Sequence, residues 1–284
     1  MHLIKAAHLK RQKISEFSKR TLVLKEQNIH PCLKVILVGN NPASLIYTEN
    51  KKKFCLKIGA DCEIIHLEEN LSEENFLSTV QKFNHDQNVH GIIIQLPLPK
   101  SLQHLEVGSL ISPEKDVDGF HPINLYHLLS NQKNIPFFTS CTPKGILTLL
   151  TEHGISVAGK KVCLIGRSMI VGKPLAMLLT NHNATVTLCH SQTPNLENIS
   201  KEADILISAI GKARFITKEF VHAKQIVVDV GINNHQGTIC GDVCFDEVSP
   251  IVQSITPVPG GVGPMTILSL AENLLESCER LLKK

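Results

Sequence analysis

The sequence contains no tryptophan and only two tyrosines in 284 residues. Proteins that bind single-stranded nucleic acids without sequence preference stack the bases on aromatic side chains. The formal net charge of +3 is also too small to indicate binding to a nucleic acid or a membrane surface. We therefore expect no nucleic acid and no membrane as partner.

Long apolar runs are missing as well. No apolar run approaches the roughly 18 residues that a membrane-spanning helix needs. The opening segment, M-H-L-I-K-A-A-H-L-K-R, lacks the apolar core of a secretory signal peptide. Both observations predict a cytoplasmic protein.

The nine cysteines include no C-x-x-C pair. Several lie inside apolar runs, among them Cys163 and Cys189, which is typical of reduced, buried thiols and not of disulfides. Cys240 and Cys244 are four residues apart, but no cluster of histidines or cysteines completes a zinc set around them. The sequence therefore predicts no metal site.

Two domains fit comfortably into a chain of this length. In its first part, apolar runs rich in β-branched residues predict strands, and segments that open with capping residues predict helices. Alternation of strand and helix implies a parallel sheet. In chain order the predicted elements are strand 33–38, helix 42–58, strand 62–67, helix 72–84 and strand 91–96.

The second part repeats this alternation over more than 70 residues, which is typical of a doubly wound, nucleotide-binding sheet. We place the first domain at residues 1–140 plus 265–284 and the second at residues 141–264. The prediction is an α/β protein of two lobes around a cleft, the second lobe Rossmann-like. The predicted elements are helix 142–153, strand 161–166, helix 173–181, strands 184–189, 203–209 and 225–230, and a final helix 265–282.

The segment from Asn41 to Lys53 reads N-P-A-S-L-I-Y-T-E-N-K-K-K. On the predicted helix Tyr47 and Lys51 share a face, because residues four apart lie one turn from each other. A phenol beside an amine can transfer protons. The alternative is an amphipathic helix with a half-buried tyrosine and a solvated lysine.

A polar residue also lies near the end of the predicted strand 91–96. Gln95 closes an apolar run at the carboxyl end of this strand, where ligands bind in open parallel sheets. The alternative is a polar strand end that caps a loop. Further on, D-V-D-G contains Asp116 and Asp118, of which one can bond its own backbone and the other can hold a substrate donor.

A glycine turn follows the strand 161–166 and opens a helix. Gly166-Arg167-Ser168 and Gly172 do not form G-x-G-x-x-G, but the turn places free backbone N–H groups where they can face a phosphate. The motif therefore indicates a nucleotide site.

The end of the next strand predicts which nucleotide binds. NAD sites usually carry an acidic residue there to bind the ribose 2′-hydroxyl. This strand ends C-H-S-Q-T, without an acid, and Ser191 lies in that stretch. With Arg167 available for a 2′-phosphate, the pattern favours NADP. The alternative for Arg167 is a surface charge.

Taken together, these motifs resemble the bifunctional methylenetetrahydrofolate dehydrogenase/methenyltetrahydrofolate cyclohydrolases of the FolD type, over nearly the whole chain. The motifs that carry the resemblance are Asn41-Pro42-Ala43-Ser44 with Tyr47 and Lys51, Gln95-Leu96-Pro97-Leu98-Pro99, Asp116-Val117-Asp118-Gly119, Cys141-Thr142-Pro143 with Gly145, Gly166-Arg167-Ser168 with Val171, Gly172 and Pro174, and Thr256 to Thr266.

The resemblance implies hydride transfer from a tetrahydrofolate substrate to NADP and hydrolysis of the product. It implies Lys51 as general acid/base, Gln95 as its partner, Tyr47 against the folate and Asp118 on the pterin nitrogens. It also implies a homodimer formed through the second domain. The implied folate-site residues are Tyr47, Lys51, Gln95, Leu96, Asp118, Pro259, Gly260, Gly261, Val262, Gly263, Pro264 and Thr266, and the implied cofactor residues are Gly166, Arg167, Ser168, Ser191 and Ile232.

Two other functions fit parts of the pattern. Short-chain dehydrogenases also use Tyr-x-x-x-Lys, but there the pair follows the dinucleotide loop, whereas here it precedes that loop by more than 100 residues. A non-catalytic NADP-binding sensor could share the fold. The sequence also departs from the family at Ile4-Lys5-Ala6-Ala7, where Asp-Gly-Lys is frequent, so the opening turn can differ.

Overall fold

A computed structural model describes residues 1–132 and 134–282. The chain divides into two compact units, one of Met1–Lys10 with Ser140–Thr266 and one of Arg11–Thr139 with Ile267–Lys284. Residues 283 and 284, which belong to the predicted first domain, lie outside the described residues. We call the two units the six-stranded unit and the three-stranded unit, after their main sheets.

The elements follow each other in this order. The strands are β1 His2–Leu3, β2 Cys32–Val38, β3 Asp61–Leu67, β4 Gly91–Ile94, β5 Lys161–Ile165, β6 Thr185–Cys189, β7 Ile205–Ser208, β8 Ile226–Asp229, β9 Asn233–His235, β10 Thr238–Cys240 and β11 Ser254–Ile255. The helices are α1 Ala7–Glu26, α2 Pro42–Lys57, α3 Glu73–His85, α4 Pro122–Leu129, α5 Cys141–Glu152, α6 Gly172–Asn181, α7 Leu196–Lys201, α8 Phe245–Val248 and α9 Val262–Leu281.

The three-stranded unit contains a parallel sheet in the order β3-β2-β4. All four residues of β4 are buried, as its continuous apolar run predicts. The helices between these strands begin at polar caps: Asn41 Oδ1 accepts from Ser44 N at 3.1 Å before α2, and Ser72 Oγ accepts from Asn75 N at 3.3 Å before α3. The β-α-β-α-β order predicted for this part is confirmed.

The six-stranded unit contains a sheet in the order β1-β11-β8-β7-β5-β6, and every pair in it is parallel. The chain goes from β5 outward to β6 and then crosses to β7 on the other side of β5. This reversal is the switch point at which ligands bind in doubly wound sheets. The predicted α/β class with a doubly wound second part is confirmed.

The unit boundaries differ from the predicted domains in the first ten residues. We expected residues 1–140 to share one domain, but β1 pairs with β11 and places Met1–Lys10 in the six-stranded unit. Strands of two residues are too short to show a periodicity of two, so the pattern could not reveal this pairing. Which ligand belongs to each unit stays a prediction.

Cys163 and Cys189 are buried, as predicted, with exposed fractions of 1 % and 0 %. Their Sγ atoms are 3.9 Å apart on the neighbouring strands β5 and β6. Burial raises the pKa of the Cys189 thiol as well as that of Cys163. Both thiols are therefore part of the core. In the described part of the chain no helix is long and apolar enough to cross a membrane.

The start of α9 packs closely on α5 within the six-stranded unit. Thr142 Oγ1 and Thr266 Oγ1 are hydrogen-bonded at 3.0 Å. A Cβ atom on Gly145 would lie 2.9 Å from the carbonyl carbon of Met265, closer than two carbon atoms can approach. Gly145 therefore sets the distance between α5 and the first turn of α9.

We predict that Gly145→Ala lowers the stability of the protein. Alanine favours helix by about 1 kcal/mol, but the overpacking costs about 1–3 kcal/mol, so the net change is a loss. Gly263→Ala is the matched control, because a Cβ there meets only Ile232 Cδ1 at 3.6 Å. Thermal unfolding should show a lower Tm for Gly145→Ala only. Equal Tm values for the two variants would contradict this account of the packing.

Candidate active site

Helix α2 brings Lys51 to the carboxyl end of β4. Lys51 Nζ donates a hydrogen bond of 2.9 Å to Gln95 Oε1. Gln95 is the residue that directly follows β4. Lys51 is half-buried. The sequence analysis placed Gln95 at this edge of the sheet and Lys51 on the helix 42–58, and the structure joins the two side chains. A freely solvated lysine, the alternative interpretation, does not fit this contact.

The amide of Gln95 has one orientation only. Its Nε2 donates to the carbonyl oxygen of Leu96 at 2.8 Å, and a carbonyl oxygen can only accept. Oε1 therefore faces Lys51, which must present an N–H to it. Ser44 Oγ, in the first turn of α2, also donates to the Leu96 oxygen at 3.3 Å. The Leu96 carbonyl thus connects α2 to the amide that orients the lysine.

Tyr47 lies one turn before Lys51 on α2 and is 37 % exposed. Partial burial raises the pKa of its phenol, so the hydroxyl keeps its proton at neutral pH. Among the residues that the structure describes, none forms a hydrogen bond with this hydroxyl. The ring and the hydroxyl of Tyr47 are therefore available to a ligand.

The two carboxylates of D-V-D-G have different surroundings. Asp116 is 2 % exposed and accepts from His121 N at 2.7 Å, from Asn124 Nδ2 at 2.8 Å and from Gly119 N at 3.2 Å. Burial outweighs these bonds and raises the pKa of Asp116 to about 6. Asp116 therefore shapes the turn, as one of the two was expected to do.

Asp118 is the carboxylate left for a ligand. It is half-buried, and within the described ranges no hydrogen bond or ion pair involves its side chain. It forms no hydrogen bond with Lys51 or Gln95, so the structure does not join it directly to that pair. Asn124, which the sequence analysis did not single out, holds the turn by donating to Asp116 and to the carbonyl oxygen of Pro113.

The glycine-rich segment Pro259–Thr266 belongs to the six-stranded unit. Gly260 O accepts from Ala6 N at 3.0 Å, and a Cβ on Gly261 would lie 2.7 Å from Pro257 O. The Val262 side chain is 3 % exposed and belongs to the core, so this predicted folate-site residue offers almost no side-chain surface. Pro259 is exposed.

The glycine turn after β5 requires its glycines. Gly166 has φ +123°, and a Cβ there would lie 2.3 Å from Ala209 O. A Cβ on Gly172 would lie 2.0 Å from Gly166 O. Ser168 Oγ accepts from Val171 N at 3.1 Å and from Gly172 N at 3.4 Å. The turn is thus held tightly, and the Ser168 hydroxyl still has its own proton to donate.

The other predicted cofactor residues lie at the same edge of the sheet. Because β5, β6, β7 and β8 are parallel, the residues after them emerge together. Arg167 and Ser191 are exposed, and in the ranges described Arg167 has no hydrogen-bonded partner. Ile232 follows β8 and is 46 % exposed. The carboxyl edge of the sheet, the glycine turn after β5 and the guanidinium of Arg167 together suit an anionic nucleotide.

Two buried carboxylates at this edge were missed by the sequence analysis. Asp229 ends β8 and Asp242 follows the hairpin of β9 and β10; they are 3 % and 0 % exposed. Burial raises the pKa of Asp229 to about 7, against the effect of three backbone N–H donors. For Asp229 the sequence offered a signal, because this aspartate interrupts the apolar residues of I-V-V-D-V. No group of metal-binding side chains occurs among the residues described.

Two family models match the chain. Residues 4–118 match the tetrahydrofolate dehydrogenase/cyclohydrolase catalytic domain, and residues 140–282 match the NAD(P)-binding domain of the same family. The matched ranges follow the chain order that the motifs predict, and together they cover most of it.

Individual proteins are similar over nearly their full lengths. The bifunctional protein FolD of Bacillus cereus is 46 % identical over 279 residues, 98 % of this chain and 96 % of its own. The FolD crystal structure from Campylobacter jejuni has a TM-score of 0.94 at 42 % identity and covers 99 % of each chain. The Trypanosoma brucei FolD, complexed with NADP cofactor and an inhibitor, has a TM-score of 0.93 at 32 % identity and covers 99 % of this chain and 98 % of its own.

Proposed function

This chain belongs to the tetrahydrofolate dehydrogenase/cyclohydrolase family, and from that premise we propose that it carries out two consecutive reactions of one-carbon metabolism. The observation that supports this best is the hydrogen bond between Lys51 and Gln95 at the carboxyl end of β4. It places a proton-transfer group where a parallel sheet binds its ligand. The family to which the chain belongs and the position of the Lys51–Gln95 pair thus support the same chemistry.

In the first reaction, 5,10-methylenetetrahydrofolate loses a hydride from its one-carbon bridge. NADP⁺, when bound, supplies the hydride acceptor. The products are NADPH and a methenyl cation. In the second reaction water adds to the methenyl carbon and loses a proton, and one carbon–nitrogen bond opens to give 10-formyltetrahydrofolate. Only the second reaction needs protons to be moved between substrate, water and protein.

Lys51 is the residue that moves these protons. As a general base Lys51 acts through its neutral amine, the form that can accept a proton. Because Gln95 Oε1 accepts one N–H of Lys51, the other positions around the nitrogen stay available for the water that must lose a proton. The Leu96 carbonyl keeps Gln95 in this orientation.

Two further residues of the three-stranded unit bind the substrate. The half-buried carboxylate of Asp118, which has no hydrogen-bonded partner in the part of the chain that the structure describes, suits the N–H donors of a pterin ring. Tyr47 offers an apolar face and a protonated hydroxyl to the folate. The folate-site role that the family resemblance implies for Pro259, Gly260, Gly261, Gly263, Pro264 and Thr266 stays a prediction.

The nucleotide is NADP, bound at the carboxyl edge of the six-stranded sheet. Gly166 and Gly172 have no Cβ, so the backbone of the turn can approach a phosphate closely. Arg167 is proposed to pair with the 2′-phosphate together with Ser191, since the end of β6 carries no acid that would repel it. Ser168 and Ile232 line the same edge.

A homodimer formed through the six-stranded unit is also proposed. The support is the resemblance to the family and the exposed apolar side chains on that unit, Phe215 at 39 % and Ile239 at 55 %. A cytoplasmic location stays a prediction.

We predict that Lys51→Ala abolishes the hydrolase activity while cofactor binding is kept. Loss of a general acid/base costs about a hundredfold or more in rate, and hydride transfer, which depends on orientation, should fall much less. The measurement is hydrolysis of added methenyltetrahydrofolate beside the NADPH affinity from a fluorescence titration.

Lys53→Ala is the control for this experiment, because Lys53 lies on the same helix and is exposed. It should leave both activities unchanged. Undiminished hydrolysis in Lys51→Ala would overturn the assignment and favour the alternative of a non-catalytic NADP-binding sensor.

Arg167→Ala should weaken the binding of NADP selectively. A hydrogen bond to a charged group is lost, so we expect the KM for NADP⁺ to rise about tenfold, while the KM for NAD⁺ stays the same. The control is Lys160→Ala, which removes an exposed cation just before β5, at the amino end of the same sheet. Equal increases for both nucleotides in Arg167→Ala would refute a contact with the 2′-phosphate.

A further inference from the structure

The carboxylate of Asp242 is fully buried and accepts five hydrogen bonds. Oδ2 accepts from Ile210 N at 2.8 Å, Ser208 Oγ at 3.2 Å and Gly211 N at 3.3 Å. Oδ1 accepts from Lys212 N at 2.9 Å and from Asn233 Nδ2 at 3.0 Å. All lone-pair directions of the carboxylate are therefore used within the protein, and none is left for a ligand.

The donors to Asp242 come from two separate segments. Residues 210–212 follow β7, and Asn233 follows β8 together with Ile232. Since β7 and β8 are neighbouring parallel strands, both segments emerge at the carboxyl edge of the six-stranded sheet. One side chain thus holds the backbone after β7 and the segment after β8 in a fixed relation.

Asp229 holds Asp242 in turn. Its Oδ1 accepts from Asp242 N at 2.9 Å and Gly231 N at 3.0 Å, and its Oδ2 accepts from Val243 N at 2.9 Å. Glycines make room for both carboxylates: a Cβ on Gly241 would lie 1.8 Å from Asp229 Oδ2. A Cβ on Gly231 would lie 2.1 Å from Asp242 Oδ1. The two aspartates form a rigid support beneath the edge.

We propose that Asp242 is a positioning residue for NADP: it holds the segments after β7 and β8 in the conformation that receives the cofactor. The proposal rests on the proposed function, which places NADP at this edge. Asp242 would thus contribute to the affinity for the nucleotide although its buried side chain does not contact the ligand. Hydrolysis of the methenyl substrate needs no nucleotide, so it should not depend on Asp242.

Asp242→Asn is the decisive substitution, because it keeps the size of the side chain. Backbone N–H groups face both oxygens of Asp242, and an amide nitrogen cannot accept from them. Whichever way the asparagine turns, its NH2 group meets the N–H of Lys212 on one side or those of Ile210 and Gly211 on the other. The segment concerned must therefore move.

The expected result is a split between the two activities of one protein. The KM for NADP⁺ should rise about tenfold in Asp242→Asn, and the Kd for NADPH with it. The hydrolysis rate of added methenyltetrahydrofolate should stay within about twofold of the wild type. Asp246→Asn, the same chemical change at an exposed position four residues further on, should leave all three quantities unchanged.

Two results would overturn the proposal. One is an unchanged KM for NADP⁺ in Asp242→Asn; the other is a parallel loss of both activities in a folded protein, which would show a general structural role. If Asp242→Asn does not fold, Asn233→Ala decides the question, because it removes a single donor to Asp242 and should still raise the KM for NADP⁺ severalfold. An unchanged KM in Asn233→Ala would then refute the proposal.

The wild type separates this inference from the proposed function. NADP-dependent oxidation by the wild type together with unchanged cofactor binding in the variants would refute only the role of Asp242. Absence of NADP-dependent oxidation in the wild type would instead refute the proposed function on which the inference rests.

Discussion

Parallel pairing of the strands is the constraint on which the rest of the structure depends. In both sheets it gathers the carboxyl ends of neighbouring strands at one edge, where the chain leaves the ladder and polar groups become available. In the three-stranded unit this edge carries Gln95 and, through α2, Lys51. In the six-stranded unit it carries the glycine turn at Gly166 and the segments that Asp242 holds.

The carboxyl edges of the two main sheets differ in the groups that they present. The proposed proton transfer needs an oriented amine, and the neutral amide of Gln95 orients Lys51 through a hydrogen bond of 2.9 Å without adding a charge. Binding a nucleotide needs a backbone that is already in place and a cation near the phosphate. In the proposed nucleotide site, glycines without Cβ let the backbone approach closely, buried carboxylates fix the loops, and Arg167 has no hydrogen-bonded partner among the described residues.

The sequence was informative where chemistry and local pattern coincide. Tyr47 and Lys51 stood out because four-residue spacing on a helix with a clear start is a local property, and Gly166 because a turn after a buried strand is one too. The pairing of β1 with β11 could not be predicted, since it joins two-residue strands some 250 residues apart in the chain. Asp242 was missed because its donors lie in two other segments of the chain, at the end of β7 and after β8, and no sequence spacing reveals these contacts.

The most direct test is a paired assay on the purified wild type, stripped of nucleotide. We expect added methenyltetrahydrofolate to be hydrolysed at full rate without any nucleotide. Methylenetetrahydrofolate should be oxidised when NADP⁺ is supplied and much more slowly with NAD⁺. Hydrolysis no faster than in buffer, together with no reduction of NADP⁺, would refute the proposal that this chain carries out the two consecutive reactions.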